Sequence, residues 1–368
     1  MKITFILPMV NLAGGVRSTL ELANHLLLRG HEVSVVYPLI PLSSGKKWYN
    51  IRSLGNRVIE AVRNIIKGPG IEWFDLKADL IRVPTLNERW IPKADVMVAT
   101  WWENAYQVHK FKEDKGEKFY FVRHYEIWGG PPDQVKKTYN LPLNKIVTSN
   151  WLKNIMEEKF HAPVYGPVPN GVNFDLFHME RKTFNRHEPL KIGMLYRSNE
   201  FKCSKDGIKA LKMVKELHPQ VELIIFGEQP ETGEIELLED LGDYEFHLMP
   251  FKKDLLKIYN SLDILLFPSC SEGYGNPPLE AMACGSAVVS TNVGAIPDYS
   301  VDGDTILTSS PGDPDALAGN VIKLIENEDK RKRIAENGHN YIKRFTWENS
   351  AEELEKIFEG ELKKRVDR

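Results

Sequence analysis

Two carboxylates eight residues apart, Glu272 and Glu280, flank the run Gly273-Tyr274-Gly275-Asn276-Pro277-Pro278. The apolar stretch at 263–267 just before them reads as a buried strand. A proline at 277 or 278 suits the first turn of a helix, where its missing N–H would be unpaired anyway. The two acids therefore lie across a strand–turn–helix junction, with free backbone amides and a positive helix end between them. Such a junction can hold a polyhydroxylated, anionic ligand, with amides and helix dipole for phosphate and carboxylates for hydroxyls.

Other residues suit the same chemistry. Gly14 and Gly15 lie in a turn between an apolar strand and a helical pattern, where the backbone can approach anionic oxygens closely. The pair is not a GxGxxG fingerprint, so a nicotinamide cofactor is poorly supported. Arg197 and Lys205 follow the strand-like run at 190–195, at the place where cations would neutralise a diphosphate. Lys202 is the alternative to Lys205, which is favoured. His124 ends the apolar run at 119–122, and the carboxyl ends of strands are where open α/β sheets bind ligands. A lone histidine is more often structural. Arg123, Glu126 and the run Trp101-Trp102-Glu103 are further candidates for contacts to a second substrate. Trp101 and Trp102 read equally well as core.

No metal site is expected. Asp302-Gly303-Asp304 and Asp313-Pro314-Asp315 each contain a DxD, but the first reads as a glycine turn and the second as the cap of a helix at Ala316. No HExxH pair occurs. Cys203, Cys270 and Cys284 are scattered, and their spacing predicts neither a disulfide framework nor a CxxC metal pair.

The elements that position these residues alternate along the whole chain. Strand-like runs at 3–7, 32–37, 96–100, 119–122 and 145–148 alternate with helical patterns, and 190–195, 222–226, 264–267 and 287–290 repeat the arrangement. That alternation predicts parallel α/β architecture in two Rossmann-like domains, and 368 residues suit two cores rather than one. The turn-rich stretch Pro167-Val168-Pro169-Asn170-Gly171 marks the boundary. The expected domains are 1–170, 171–345 and a C-terminal helix at 346–368.

Composition bounds the partners. With 42% apolar and 27% charged residues and a net charge of -3, the chain lacks the basic balance of a nucleic-acid-binding domain. No apolar stretch reaches the 18 residues of a spanning helix, and no signal-peptide pattern is present. A cytoplasmic protein is expected. Residues 46–67 interleave Lys46, Lys47, Arg52, Arg57, Arg63 and Lys67 with apolar side chains. A segment of that type can lie on an anionic membrane; a surface helix covering the first domain is the equal alternative.

Taken in order, the glycine turn, the Asn170-Gly171-Val172-Asn173 stretch, the Arg197/Lys205 element, the Glu272–Glu280 pair and a final helix after Trp347 resemble the retaining GT-B glycosyltransferases of glycosyltransferase family 4, whose signature is E-x7-E. Asn173 departs from the usual Asp, and Lys205 lies eight residues after Arg197. The resemblance implies two Rossmann-like domains facing across a cleft, with the last helix crossing back to the first domain. It also implies transfer of a sugar from a nucleotide-diphosphate sugar to a hydroxyl acceptor, glycan or lipid-linked, with no cofactor or metal. Glu272 would bind the sugar hydroxyls and Glu280 the ribose. Gly273, Tyr274, Gly275 and Asn276 would hold sugar and phosphate, with Met249 and Phe251 beside the base. Arg197 and Lys205 would stabilise the diphosphate, Gly14 and Gly15 would face it, and His124 would lie beside the donor sugar. A non-catalytic nucleotide-sugar-binding subunit, or a phosphorylase or epimerase of the same fold, stays open.

Overall fold

The computed structural model describes residues 1–40, 42, 70–180, 184, 189–230 and 232–366. The basic segment at 46–67 lies outside the described residues. The chain forms two compact units, Met1–Gly171 with Trp347–Arg368, and Val172–Thr346.

The first unit is built on seven parallel strands: β1 (Lys2–Ile6), β2 (Glu32–Pro38), β3 (Asp79–Val83), β4 (Val96–Ala99), β5 (Glu117–Val122), β6 (Asn144–Val147) and β7 (Val164–Tyr165). Their order is β3-β2-β1-β4-β5-β6-β7. The described helices between them are α1 (Gly14–Leu28), α2 (Trp102–Lys110), α3 (Pro132–Thr138) and α4 (Asn150–Asn154). Central strands are apolar because both faces are covered: β4 is buried throughout, and so are the last four residues of β5.

The second unit repeats the plan with β8 (Lys191–Tyr196), β9 (Glu222–Gly227), β10 (Glu245–Leu248), β11 (Ile264–Phe267), β12 (Ala287–Thr291) and β13 (Leu307–Ser309). The order is β10-β9-β8-β11-β12-β13, all parallel. Its helices are α5 (Ser204–Leu217), α6 (Thr232–Glu239), α7 (Lys253–Ser261), α8 (Asn276–Ala283), α9 (Pro314–Glu326) and α10 (Glu328–Ile342). Helix α5 buries Ile208, Leu211 and Val214 at helical spacing and leaves Lys205, Lys209 and Lys212 exposed. Asp313 accepts from the amide of Ala316 at 2.9 Å. It is thus the N-cap that its sequence position predicts.

The final helix, α11 (Trp347–Val366), belongs to the first unit. Phe358 meets Phe119 edge-on with ring centroids 4.8 Å apart, and Glu355 accepts from Arg29 Nε at 2.7 Å and is bonded to His31 Nε2 at 2.8 Å.

Four strands, β3, β7, β10 and β13, are not legible as apolar runs. β3 carries Arg82 and is mostly half-buried, β7 has two residues, β10 is exposed at both ends, and β13 has only three residues. All four are edges of their sheets. An edge strand needs a partner on only one side and tolerates polar or short sequences.

Candidate functional site

In the second unit the strand order reverses between β8 and β11, which pair Ile264 with Ile192 and Leu266 with Met194. Connections leave these two strands in opposite directions, opening a crevice at their carboxyl ends. Most candidate residues of this unit lie in the segments that leave those two ends.

After β8 the chain makes a short 3₁₀ turn, Glu200–Lys202, and enters α5. After β11 it runs through 268–275 into α8, with Pro277 and Pro278 in the first turn. The two loops are bound to each other. The carbonyl of Phe201 accepts from the amides of Cys270 at 2.9 Å and Ser271 at 3.1 Å. Lys202 Nζ lies 2.7 Å from Glu272 Oε1, and Ser269 Oγ donates to the same oxygen at 2.6 Å. Glu272 is buried, so its Oε1 is partnered by these two side chains rather than by bulk water.

Spacing along the chain predicts no disulfide, but the structure joins Cys203 to Cys270 across 67 residues. The physical reason is lateral: β8 and β11 are sheet neighbours, so the loops that follow them meet, with Cα atoms 5.7 Å apart. Asp206 brings a carboxylate oxygen within 4.8 Å of both sulfurs. Sulfurs bonded to each other offer no thiolate to a metal.

The backbone of Glu272 is set by Gly294. A Cβ at Gly294 would come within 2.1 Å of the Glu272 carbonyl oxygen, and Gly294 has φ +56°. Lys202, Ser269 and Gly294 therefore position Glu272, and sequence reasoning had no signal for Ser269 or Gly294.

Arg197 Nη1 donates to Glu228 Oε1 at 2.7 Å, and Glu228 Oε2 also accepts from the amide and hydroxyl of Ser198. Burial raises the Glu228 carboxyl, but Arg197 and Ser198 outweigh it and hold the group below the usual range. The Lys205 side chain is 62% exposed, and its Nζ lies 3.8 Å from Glu234 Oε1. The structure thus sets Lys202, not Lys205, against Glu272. Glu280 is buried in α8 and accepts from Tyr259 Oη at 3.0 Å. Gly273, Tyr274 and Gly275 are buried; Tyr299 Oη donates to the Gly275 carbonyl at 2.7 Å, and Asn276 opens α8 half-buried. Met249, whose amide donates to the Gly227 carbonyl at 2.6 Å, and Phe251 are both exposed after β10.

The first unit has its own reversal, between β1 and β4. Gly14 and Gly15 start α1 after β1, and His124 follows β5. His124 Nδ1 accepts from Trp128 Nε1 at 3.3 Å, and its ring meets Trp128 and Trp151 edge-on. Glu126 is structural. It is buried, its Oε2 accepts from the Trp102 amide at 2.9 Å and Tyr120 Oη at 2.8 Å, and it closes the N-terminus of α2. Burial pushes its carboxyl up to about 8 against the opposing pull of Tyr120, Trp102 and Arg123.

In the regions resembling DxD, Asp302 accepts from the Thr308 amide and Asp304 from Asn337 Nδ2, each at 2.7 Å. Each thus spends Oδ1 on the surrounding fold, Asp302 on the strand that follows and Asp304 on α10.

Residues 178–341 match the family model described as "Glycosyl transferases group 1", a segment inside the second unit. The chain is 30% identical over 234 residues to the capsular polysaccharide biosynthesis glycosyltransferase CapM of Staphylococcus aureus, covering 60% of each chain. It is 31% identical over 179 residues to the D-inositol 3-phosphate glycosyltransferase of Corynebacterium jeikeium, covering 46% of this chain and 43% of the relative. The chain thus spans 60% or less of the length of these relatives. Among solved structures, Anabaena HepE in complex with UDP-glucose superposes with a TM-score of 0.73 at 15% identity, covering 98% of this chain and 100% of HepE. Sucrose-phosphate synthase from Thermosynechococcus elongatus superposes with 0.71 at 17% identity over 98% of both chains. The fold is GT-B, two parallel-sheet Rossmann-like domains in one chain.

Proposed function

We propose that this protein is a retaining glycosyltransferase that moves a sugar from a nucleotide-diphosphate sugar to a hydroxyl acceptor, in the synthesis of a cell-surface glycan or glycolipid. The observation that carries the reading is Glu272, buried at the reversal of the second sheet, fixed by Lys202, Ser269 and Gly294, eight residues before buried Glu280. The match to group 1 glycosyl transferases covers this segment and supports it. UDP-glucose in the structure of HepE, a protein of the same fold, supports a nucleotide-sugar donor.

Glu272 accepts from the donor sugar hydroxyls and Glu280 from the ribose. The amides of Gly273, Tyr274 and Gly275 and the N-terminus of α8 hold the sugar and its phosphate, with Asn276 beside them. Met249 and Phe251 flank the base. Lys205 stabilises the departing diphosphate, because its charge is exposed and only loosely paired, whereas Lys202 is already neutralised by Glu272. Arg197, held by Glu228, adds directional N–H donors. The acceptor hydroxyl attacks on the face the diphosphate leaves, so no protein nucleophile, cofactor or metal is required. The first unit, with His124 at a strand end, serves the acceptor.

Thermal unfolding with UDP, GDP, ADP and dTDP in EDTA tests the donor site. A ligand at about 100 times its dissociation constant adds roughly 2.7 kcal/mol of stability. Stabilisation by one nucleotide is expected, followed by product of unchanged anomeric configuration from the matching sugar donor. No shift with any nucleotide, with or without divalent metal, overturns the reading. An inverted anomer overturns retention, and donor phosphorolysis or epimerisation in place of transfer identifies a different reaction on this fold.

A further inference from the structure

We infer that the Cys203–Cys270 bond is a thiol–disulfide exchange site through which a small dithiol controls how tightly the donor is held. The link to the donor rests on the transfer reading; the exchange site does not.

The two sulfurs join the loops that leave β8 and β11, next to their functional side chains. Cys203 follows Lys202 directly. Cys270 lies between Ser269, which donates to Glu272 Oε1, and Glu272 itself. The strands do not depend on this bond, because β8 and β11 are already paired from Ile192 to Met194. What the bond fixes is the position of the loops beyond the strand ends. Those loops are also tied by the amides of Cys270 and Ser271 on the Phe201 carbonyl and by Lys202 on Glu272.

Cys203 stands at φ +49°, in the left-handed region that residues with a Cβ seldom adopt, and it is the N-cap of α5. Such a conformation persists only where the surroundings hold it. Opening the bond removes one of those restraints, at the residue that joins Lys202 to the helix carrying Lys205.

Both cysteines are half-buried and within reach of a small thiol. Cys284 is fully buried, and burial pushes its thiol up to about 12, so it does not compete. The N-terminus of α5 and the adjacent Lys202 favour a thiolate on Cys203, which makes it a good leaving sulfur. The Asp206 carboxylate, within 4.8 Å of both sulfurs, opposes that. Once the bond is open it repels either thiolate, which favours separation of the loops.

In the exchange, one thiolate of the dithiol attacks a cysteine sulfur, the S–S bond breaks and a mixed disulfide forms. The second sulfur of the dithiol then displaces that cysteine. Two electrons and two protons pass to the protein as two thiols, and the dithiol leaves as a cyclic disulfide. Glu272 then sits on a loop that has lost its covalent tie, and donor binding weakens.

The test compares the full chain, oxidised and reduced by dithiothreitol, in EDTA so that no metal bridges the released sulfurs and Asp206. Thiol counting in denaturant should find one thiol, that of Cys284, in the oxidised protein and three in the reduced. Among UDP, GDP, ADP and dTDP, the one that stabilises the oxidised protein should bind at least tenfold more weakly after reduction. Oxidised glutathione should restore binding. Affinity is read by titration calorimetry at a temperature where both forms are folded. The Cys203→Ser/Cys270→Ser variant should bind like the reduced protein, with or without reductant. Hydrogen exchange at the amides of Cys270 and Ser271 should quicken on reduction, a readout that needs no nucleotide.

Three thiols before any reductant, or exchange at 270 and 271 unchanged after full reduction, overturns the site. Tight nucleotide binding by the reduced protein or by the double variant overturns its link to the donor. Faster exchange on reduction in a protein that no nucleotide stabilises in either state supports the exchange site and overturns the transfer reading.

Discussion

Lys202 Nζ and Glu272 Oε1 are 2.7 Å apart, although 70 residues separate them along the chain. The pair joins the loop after β8 to the loop after β11, and it fixes a buried carboxylate in direction. In a transferase of the type proposed, that fixes the acceptor oxygens for the sugar hydroxyls before the donor arrives. Removing one partner of a buried pair leaves the other uncompensated and costs about 3–5 kcal/mol.

The two lysines should therefore fail differently. Lys205→Ala is expected to lower kcat about 100-fold or more, by removing an exposed cation that stabilises the leaving diphosphate. Lys202→Ala should raise the donor KM and lower stability, because it loosens Glu272. Steady-state kinetics on both variants separates the roles; a lower kcat from Lys202→Ala with Lys205→Ala unaffected would exchange them.

Gly294→Ala should abolish activity and destabilise the protein by about 1–3 kcal/mol, because the new Cβ would collide with the Glu272 carbonyl. Gly303→Ala is the control. Gly303 also has positive φ, +76°, but nothing lies within 4 Å of its Cβ position, so about 1 kcal/mol of backbone cost with full activity is expected. Equal activity in the two variants would remove Gly294 from the positioning of Glu272.

Reduction of the Cys203–Cys270 bond should lower stability. It closes a loop of 67 residues, for which about 2–4 kcal/mol is typical. Thermal unfolding with and without a phosphine reductant measures the loss, and the Cys203→Ser/Cys270→Ser double variant should no longer respond to reductant. An unchanged melting temperature in the wild type would mean that the backbone bonds from Phe201 suffice.

Glu126 makes stability depend on pH with a definite sign. Its folded-state value is about 8 against an ordinary 4.5. Between those values the unfolded chain gives up the proton while the folded chain keeps it, so the contribution is complete below about 4.5 and is lost as pH rises to about 8. Glu126→Gln keeps an oxygen to accept from Trp102 and Tyr120 without the ionisation. The melting temperature of the variant relative to wild type should rise steadily from pH 5 to pH 8. A constant difference across that range would mean that Glu126 titrates as an ordinary carboxyl.

The local chemistry of this protein is written in its sequence. Apolar runs at 264–267 and 119–122 are strands because burial on both faces demands continuous hydrophobicity. Helix α8 begins at Asn276 because Pro277 and Pro278 fit only a first turn. Asp313 caps α9, and the repeated alternation of strand and helix announces two parallel-sheet units. Lateral order is different in kind. Whether β8 lies beside β11 is decided by crossovers, which periodicity along the chain does not encode. Only the tertiary structure therefore brings Cys203 to Cys270, Lys202 to Glu272 and Gly294 against the Glu272 backbone. The same cause separates the two lysines: charge and position after β8 make Lys202 and Lys205 alike in sequence, and only the neighbouring loop decides that Lys202 meets Glu272. Burial completes the division, since Arg123 and Glu126 read alike as charged residues after a strand, and the fold closes Glu126 over a helix end and buries Arg123 with Nε and Nη2 unpartnered among the described residues.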